Sequence, residues 1–98
     1  MDRLYTIDEI KKVSIPIAQK YGVGRLAIFG SYARGEHTLS SDIDFLVDKG
    51  KIRGLAFFGF INNLEDALGV RIDVLTYESL RDSLIADAIS DEVVIYEG

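Results

Sequence analysis

Residues 25–48 read RLAIFGSYARGEHTLSSDIDFLVD, and the fold follows from how this stretch divides. Arg25 to Phe29 is a short apolar run stopped by Gly30, which reads as a β-strand. Ser31 to Gly35 has room for one helical turn, and Glu36 to Ser41 is polar loop. Asp42 to Asp48 alternates as a second strand, with Asp42 and Asp44 on one face and Ile43 and Phe45 on the other. If the Gly30-Ser31 turn and Asp42 serve one ligand, these two strands must run antiparallel.

Working upstream, Thr6-Ile7-Asp8-Glu9 has the form of a capping box. Ile7, Ile10, Val13, Ile17 and Tyr21 then recur at helical spacing until Gly22, with a kink expected near residues 12–16 because of Pro16. Downstream, Lys49-Gly50-Lys51 is a turn. Gly54 to Leu68 is helical through Leu55, Phe58, Ile61, Leu64 and Leu68, and Gly69 closes it. Val70 to Thr76 is a third strand. Leu80, Leu84, Ala88 and Ile89 mark a last helix, and Val93 to Tyr96 a fourth strand. A full helix between the second and third strands suits a parallel crossover. The expectation is an α/β (α+β) architecture: one domain over residues 1–98, with a mixed β-sheet of about four strands flanked by helices.

Composition narrows the function. Ninety-eight residues, 48% of them apolar, suffice for one core and leave no room for a separate substrate domain. Sixteen acids against eleven bases give a net charge of −5, the opposite of what a free-standing nucleic-acid binder carries. The absence of cysteine excludes a disulfide scaffold, a thiolate zinc site and a Cys nucleophile. The longest apolar run, Leu55 to Ile61, is interrupted by Gly59 and is far short of a bilayer span. The start, Met1-Asp2-Arg3-Leu4, lacks the basic region of a signal peptide. A soluble, cytoplasmic protein without membrane contact is expected.

Three acids carry the chemistry. Asp42 and Asp44 share a strand face, and Asp73 sits in Arg71-Ile72-Asp73-Val74-Leu75, a strand otherwise suited to burial. Carboxylates clustered on a half-buried sheet repel unless neutralised, and hard oxygen ligands suit Mg²⁺ or Mn²⁺. Taken alone, an Asp-x-Asp is more often a solvated strand edge. It also occurs in metal-dependent glycosyltransferases, whose domains are much larger. Gly30 and Ser31, at a strand-to-helix turn, form a candidate phosphate cradle. Arg34 falls on the same face of that turn and is within reach of a phosphate oxygen. Alone, each of these is an ordinary turn or surface charge.

Together they have a familiar form. Ile28-Phe29-Gly30-Ser31-Tyr32-Ala33-Arg34-Gly35-Glu36, followed by Ser41-Asp42-Ile43-Asp44-Phe45-Leu46-Val47, resembles the minimal nucleotidyltransferases of the DNA polymerase beta-like superfamily. The segment from Leu64 to Thr76 is similar to that family's third-acid strand, and Ile17 to Val23 also fits. The resemblance implies a nucleotidyltransferase palm-like fold. It implies nucleotidyl transfer from ATP, in which a hydroxyl attacks the α-phosphate and pyrophosphate leaves. It implies two Mg²⁺ ions (or Mn²⁺) on Asp42 and Asp44, with Asp73 completing the metal site and helping to deprotonate the acceptor. Gly30 and Ser31 would hold the β- and γ-phosphates, with Arg34 as a helper. It also implies an antitoxin paired with a HEPN-domain toxin, whose tyrosine hydroxyl would receive AMP. A binding module that neutralises its partner by occlusion, and transfer onto a small molecule such as an antibiotic, are the competing readings.

Other residues carry plainer expectations. His37, the only histidine, lies in a polar loop, where a lone imidazole is ordinarily solvated. Lys49, Lys51 and Arg53 read as a solvated basic turn. Phe57, Phe58, Phe60 and Ile61 make their helix apolar on more than one side, which leaves core packing or a homo-oligomer contact through the 54–68 helix. Tyr5, Tyr77 and Tyr96 are acceptor hydroxyls in principle, but packing is their default role.

Overall fold

Helix α1 starts where the capping box puts it. The Thr6 hydroxyl accepts from the Glu9 N–H at 3.1 Å, and the Thr6 N–H donates to the Glu9 carboxylate at 3.0 Å. In the computed structural model, which describes residues 4–39, 41–80 and 91–98, α1 spans Ile7–Tyr21 and ends on Gly22 at φ 75°. Pro16 does not break the element; it faces solvent, where the carbonyl it leaves unpaired can be hydrated. The fully buried line of α1 is Ile10, Ser14 and Ala18, with the larger Val13, Ile17 and Tyr21 flanking it.

Then follow β1 (Arg25–Phe29), α2 (Gly30–Arg34), β2 (Ile43–Asp48), α3 (Leu55–Leu68), β3 (Ile72–Thr76), a 3-10 turn (Glu78–Leu80) and β4 (Val93–Glu97). Asp42 therefore stands one residue before its strand, and the third strand starts two residues later than its pattern suggested. The helix expected through Leu84, Ala88 and Ile89 lies outside the described residues.

The four strands form one mixed sheet in the order β3-β2-β1-β4. β1 is antiparallel to β2 and to β4, and β2 is parallel to β3 across the α3 crossover. The antiparallel and parallel pairings match the sequence-based expectation.

Strand alternation gives the sheet two different faces. Leu26, Ile28, Ile43, Phe45 and Val47 point to one face and bury against α1 and α3, where Phe60, Leu64 and Leu68 complete the main core. Each such large side chain contributes roughly 1.5–3 kcal/mol through burial. Tyr21 packs edge-on against Phe60 at 5.8 Å, and the Tyr5 hydroxyl donates to the Leu68 carbonyl, tying both ends of α1 to α3. Ala27 and Leu46 lie on the other face with Phe29, Leu75, Tyr77 and Val94. Asp44 and Asp73 share this second face by the same alternation. Among the described residues, no helix is long and apolar enough to cross a membrane.

Candidate active site

β1 ends by passing the chain to Gly30 at φ 71°, a left-handed conformation that glycine adopts without steric cost. A Cβ at this position would overlap Asp44 Oδ2. The turn and the carboxylate are thus in direct contact, and only glycine leaves room for it. Gly30 opens α2, whose N-cap Phe29 offers no side-chain acceptor, so the first-turn N–H groups around Ser31 have no side-chain cap.

Asp44 lies opposite Phe29 of β1 and in register with Asp73 of β3. Neighbouring strands are about 4.8 Å apart, and the Asp44 and Asp73 carboxyls share a hydrogen bond. Asp42 is half-buried just before β2. The next N–H, of Ile43, donates to the Arg71 carbonyl at 3.2 Å, which anchors this segment to the approach to β3.

The Asp44 carboxyl is pushed from 3.8 up to about 6, and burial is the largest cause. The charges of Asp73 and then Asp42 contribute to that rise, as does the hydrogen bond with Asp73, while Arg34 opposes it. Arg34 is therefore electrostatically coupled to the cluster, although its guanidinium also meets Glu36 at 3.5 Å and Asp91 at 3.8 Å.

Among the described residues, no three His, Cys, Asp or Glu side chains are gathered closely enough to hold a metal ion as they stand. The donor chemistry nevertheless fits a divalent cation: the oxygens are hard, and the like-signed charges of Asp42 and Asp73 weigh on Asp44, so positive charge there relieves their repulsion. Asp42, Asp44 and Asp73 are the residues that would hold it.

The structure brings all six sequence-predicted site residues to one end of the β1–β2 pair and its neighbour β3. The other candidates lie elsewhere. Lys49 sits over the Phe57 ring at 4.9 Å, and Arg53 donates to the Gly50 and Ile52 carbonyls. They line a cavity of about 350 Å³ with Asp48 and Glu78, at the end of β2 roughly 20 Å of strand from Asp42. The Tyr77 hydroxyl donates to Glu92 at 2.8 Å, and burial and that bond push its pKa up, so it is a poor nucleophile. Tyr5 is committed to Leu68.

His37 is a correction. It is half-buried rather than freely solvated, and stacks on the buried Tyr32 ring at 3.9 Å with planes 6° apart. The contact folds the loop back onto α2 before the Thr38–Ser41 turn, where the Thr38 N–H donates to Ser41 Oγ at 2.9 Å. Glu65 was missed as well. Its carboxylate accepts from the Ile72 N–H at 3.3 Å and ties α3 to the start of β3 beside Asp73. No local pattern marks either contact.

The family model described as "Nucleotidyltransferase domain" matches residues 10–96. The chain belongs to this nucleotidyltransferase family. A Methanocaldococcus jannaschii relative named "Putative protein adenylyltransferase MJ0435" is 47% identical over 89 residues, covering 90% of this chain and 95% of its own. The Thermococcus cleftensis "Protein adenylyltransferase MntA" is 35% identical over 96 residues, covering 93% and 96%. Among solved structures, one described as "Structure of putative minimal nucleotidyltransferase" superposes with a TM-score of 0.74 at 28% identity, covering 90% of this chain and 91% of that one. A complex of a tri-AMPylated Shewanella oneidensis HEPN toxin with an MNT antitoxin shares the fold, with a TM-score of 0.64 at 17% identity and coverage of 91% and 71%. This nucleotidyltransferase thus has the fold and reaction class that the Gly-Ser turn and Asp-x-Asp implied.

Proposed function

We propose that this nucleotidyltransferase transfers AMP from ATP to a tyrosine hydroxyl of a HEPN-domain partner, as the antitoxin of a toxin–antitoxin pair in the cytoplasm. The contact between Gly30 and Asp44, with Asp73 in register beside it, carries the reading. It sets a phosphate-binding turn against paired carboxylates. The relatives' names and the AMPylated toxin complex support a protein acceptor.

The N–H groups at the start of α2 and the Ser31 hydroxyl donate to the β- and γ-phosphate oxygens, and Arg34 adds positive charge from the end of the same turn. Asp42, Asp44 and Asp73 are the residues that would hold Mg²⁺, or Mn²⁺. Held there, the metal would supply Lewis-acid stabilisation of the developing charge. Asp73 receives the acceptor proton as the tyrosine oxygen bonds to the α-phosphorus. The bond from that phosphorus to the bridging oxygen breaks, and pyrophosphate leaves with its electron pair. Asp73 is exposed, and the site opens on a sheet face rather than in a closed cavity, which suits an acceptor presented by another protein.

The test incubates the protein with the HEPN partner and α-labelled ATP. Label on the partner is expected, lost with Asp44→Asn and with Phe in place of the acceptor tyrosine. An Asp44→Asn protein that still protects cells fully would move the reading to neutralisation by occlusion. Modification of an antibiotic without any partner would move it to a small-molecule transferase.

A further inference from the structure

Helix α3 carries its charges the wrong way round. A helix dipole favours acids at the N-terminus and bases at the C-terminus. Here exposed Lys51 and Arg53 precede the N-terminus, Glu65 and Asp66 stand in the last turn, and the first turn has no acid. Between these ends, Leu55 to Leu64 contains no charged residue. Leu55 is 85% exposed and Phe58 62% exposed, and Ala56 and Asn62 also face solvent. By contrast, α1 presents Asp8, Lys12, Gln19 and Lys20 to water. An uncharged helix face with Leu55, Ala56 and Phe58 exposed together at its start marks a contact surface.

We propose that α3 is the contact helix of a twofold homodimer, packed antiparallel against α3 of a second copy. A twofold axis near Gly59 and Phe60 sets Lys51 and Arg53 of one copy beside Asp66 of the other, twice over. Each helix's positive end then meets the other's negative end, so charges unfavourable within one chain become favourable across the pair. Among the described residues, neither Lys51 nor Asp66 has an ion-pair partner within its own chain.

Net charge points to the same face. Two chains of −5 repel over most of their surface, whereas this face is neutral in its middle and oppositely charged at its ends. Position argues against the acceptor protein as occupant. α3 covers the sheet face of Ile43 and Phe45, while Asp44 and Asp73 point to the opposite face. A second copy on α3 leaves both catalytic faces open. The inference does not depend on which hydroxyl accepts the nucleotide.

Sedimentation equilibrium on the full chain tests it. The wild type is expected at twice the chain mass, and Phe58→Glu and Leu55→Asp at the single mass with unchanged circular dichroism. Asp66→Lys is expected to dissociate the pair, and adding Lys51→Glu to it to restore the dimer. A wild type of single mass, or a Phe58→Glu protein that stays dimeric, overturns the proposal. Failure of the double variant to regain the dimer overturns the antiparallel arrangement. A monomeric wild type whose binding to the HEPN partner is lost in Phe58→Glu gives the face to that partner instead.

Discussion

The Asp44 carboxylate lies directly against Gly30, so the turn that ends β1 and the acid that begins β2 form one mechanical unit. Neither can be displaced without the other.

Gly30→Ala should therefore damage both stability and catalysis. The left-handed backbone alone costs an L-residue about 1–2 kcal/mol, and the new methyl must also push Asp44 aside. Melting is expected to fall by about 4–8 °C per kcal/mol in a chain of this size. Nucleotidyl transfer should drop roughly 10²-fold, as expected for a catalytic group moved by about 1 Å. A variant with wild-type melting and wild-type transfer would disprove the contact.

Asp44→Asn should separate stability from activity. The folded pKa of Asp44 lies above its ordinary value, so the fold favours the protonated carboxyl. Its stabilising contribution is complete below 3.8 and is lost as pH rises through about 6. In metal-free protein, wild-type stability should decline over that window relative to Asp44→Asn. At neutral pH the inactive variant should melt higher than the wild type. Parallel melting curves across the window would refute the assignment.

Divalent cation should reverse that deficit. At about 100 times its dissociation constant, Mg²⁺ would add ~2.7 kcal/mol, read as a melting shift at neutral pH that Asp44→Asn lacks. The shift should shrink as pH falls below about 6, because the proton on Asp44 competes with the ion. Chelation should abolish transfer and leave the metal-free melting temperature.

His37→Ala should lose the stack on Tyr32, worth about 0.5–1.5 kcal/mol, while His37→Phe keeps a ring in place and most of the stability. Thermal melts of the two variants decide it. Equal destabilisation by both would mean the stack contributes nothing.

Residues 25–48 were legible because their signals are local. Strand alternation, the Gly-Ser turn and the Asp-x-Asp spacing each depend on residues a few positions apart. The capping box at Thr6 and Glu9 was readable for the same reason. Reading failed where size at a contact mattered more than apolarity. The stripe of Ile and Val on α1 suggested the buried face, yet Ser14 and Ala18 occupy its deepest line.

By itself, the sequence determined the order of the described elements and the antiparallel and parallel pairings consistent with one shared site. Only the tertiary structure decided that Asp44 holds its proton to about pH 6, that His37 packs on Tyr32, that Tyr77 is tied to Glu92, and which side of α3 faces water. The physical reason is distance through space. A carboxyl's charge state depends on how deeply it is buried and how near other charges lie, and Asp73, far along the chain, becomes Asp44's neighbour only when β2 and β3 pair.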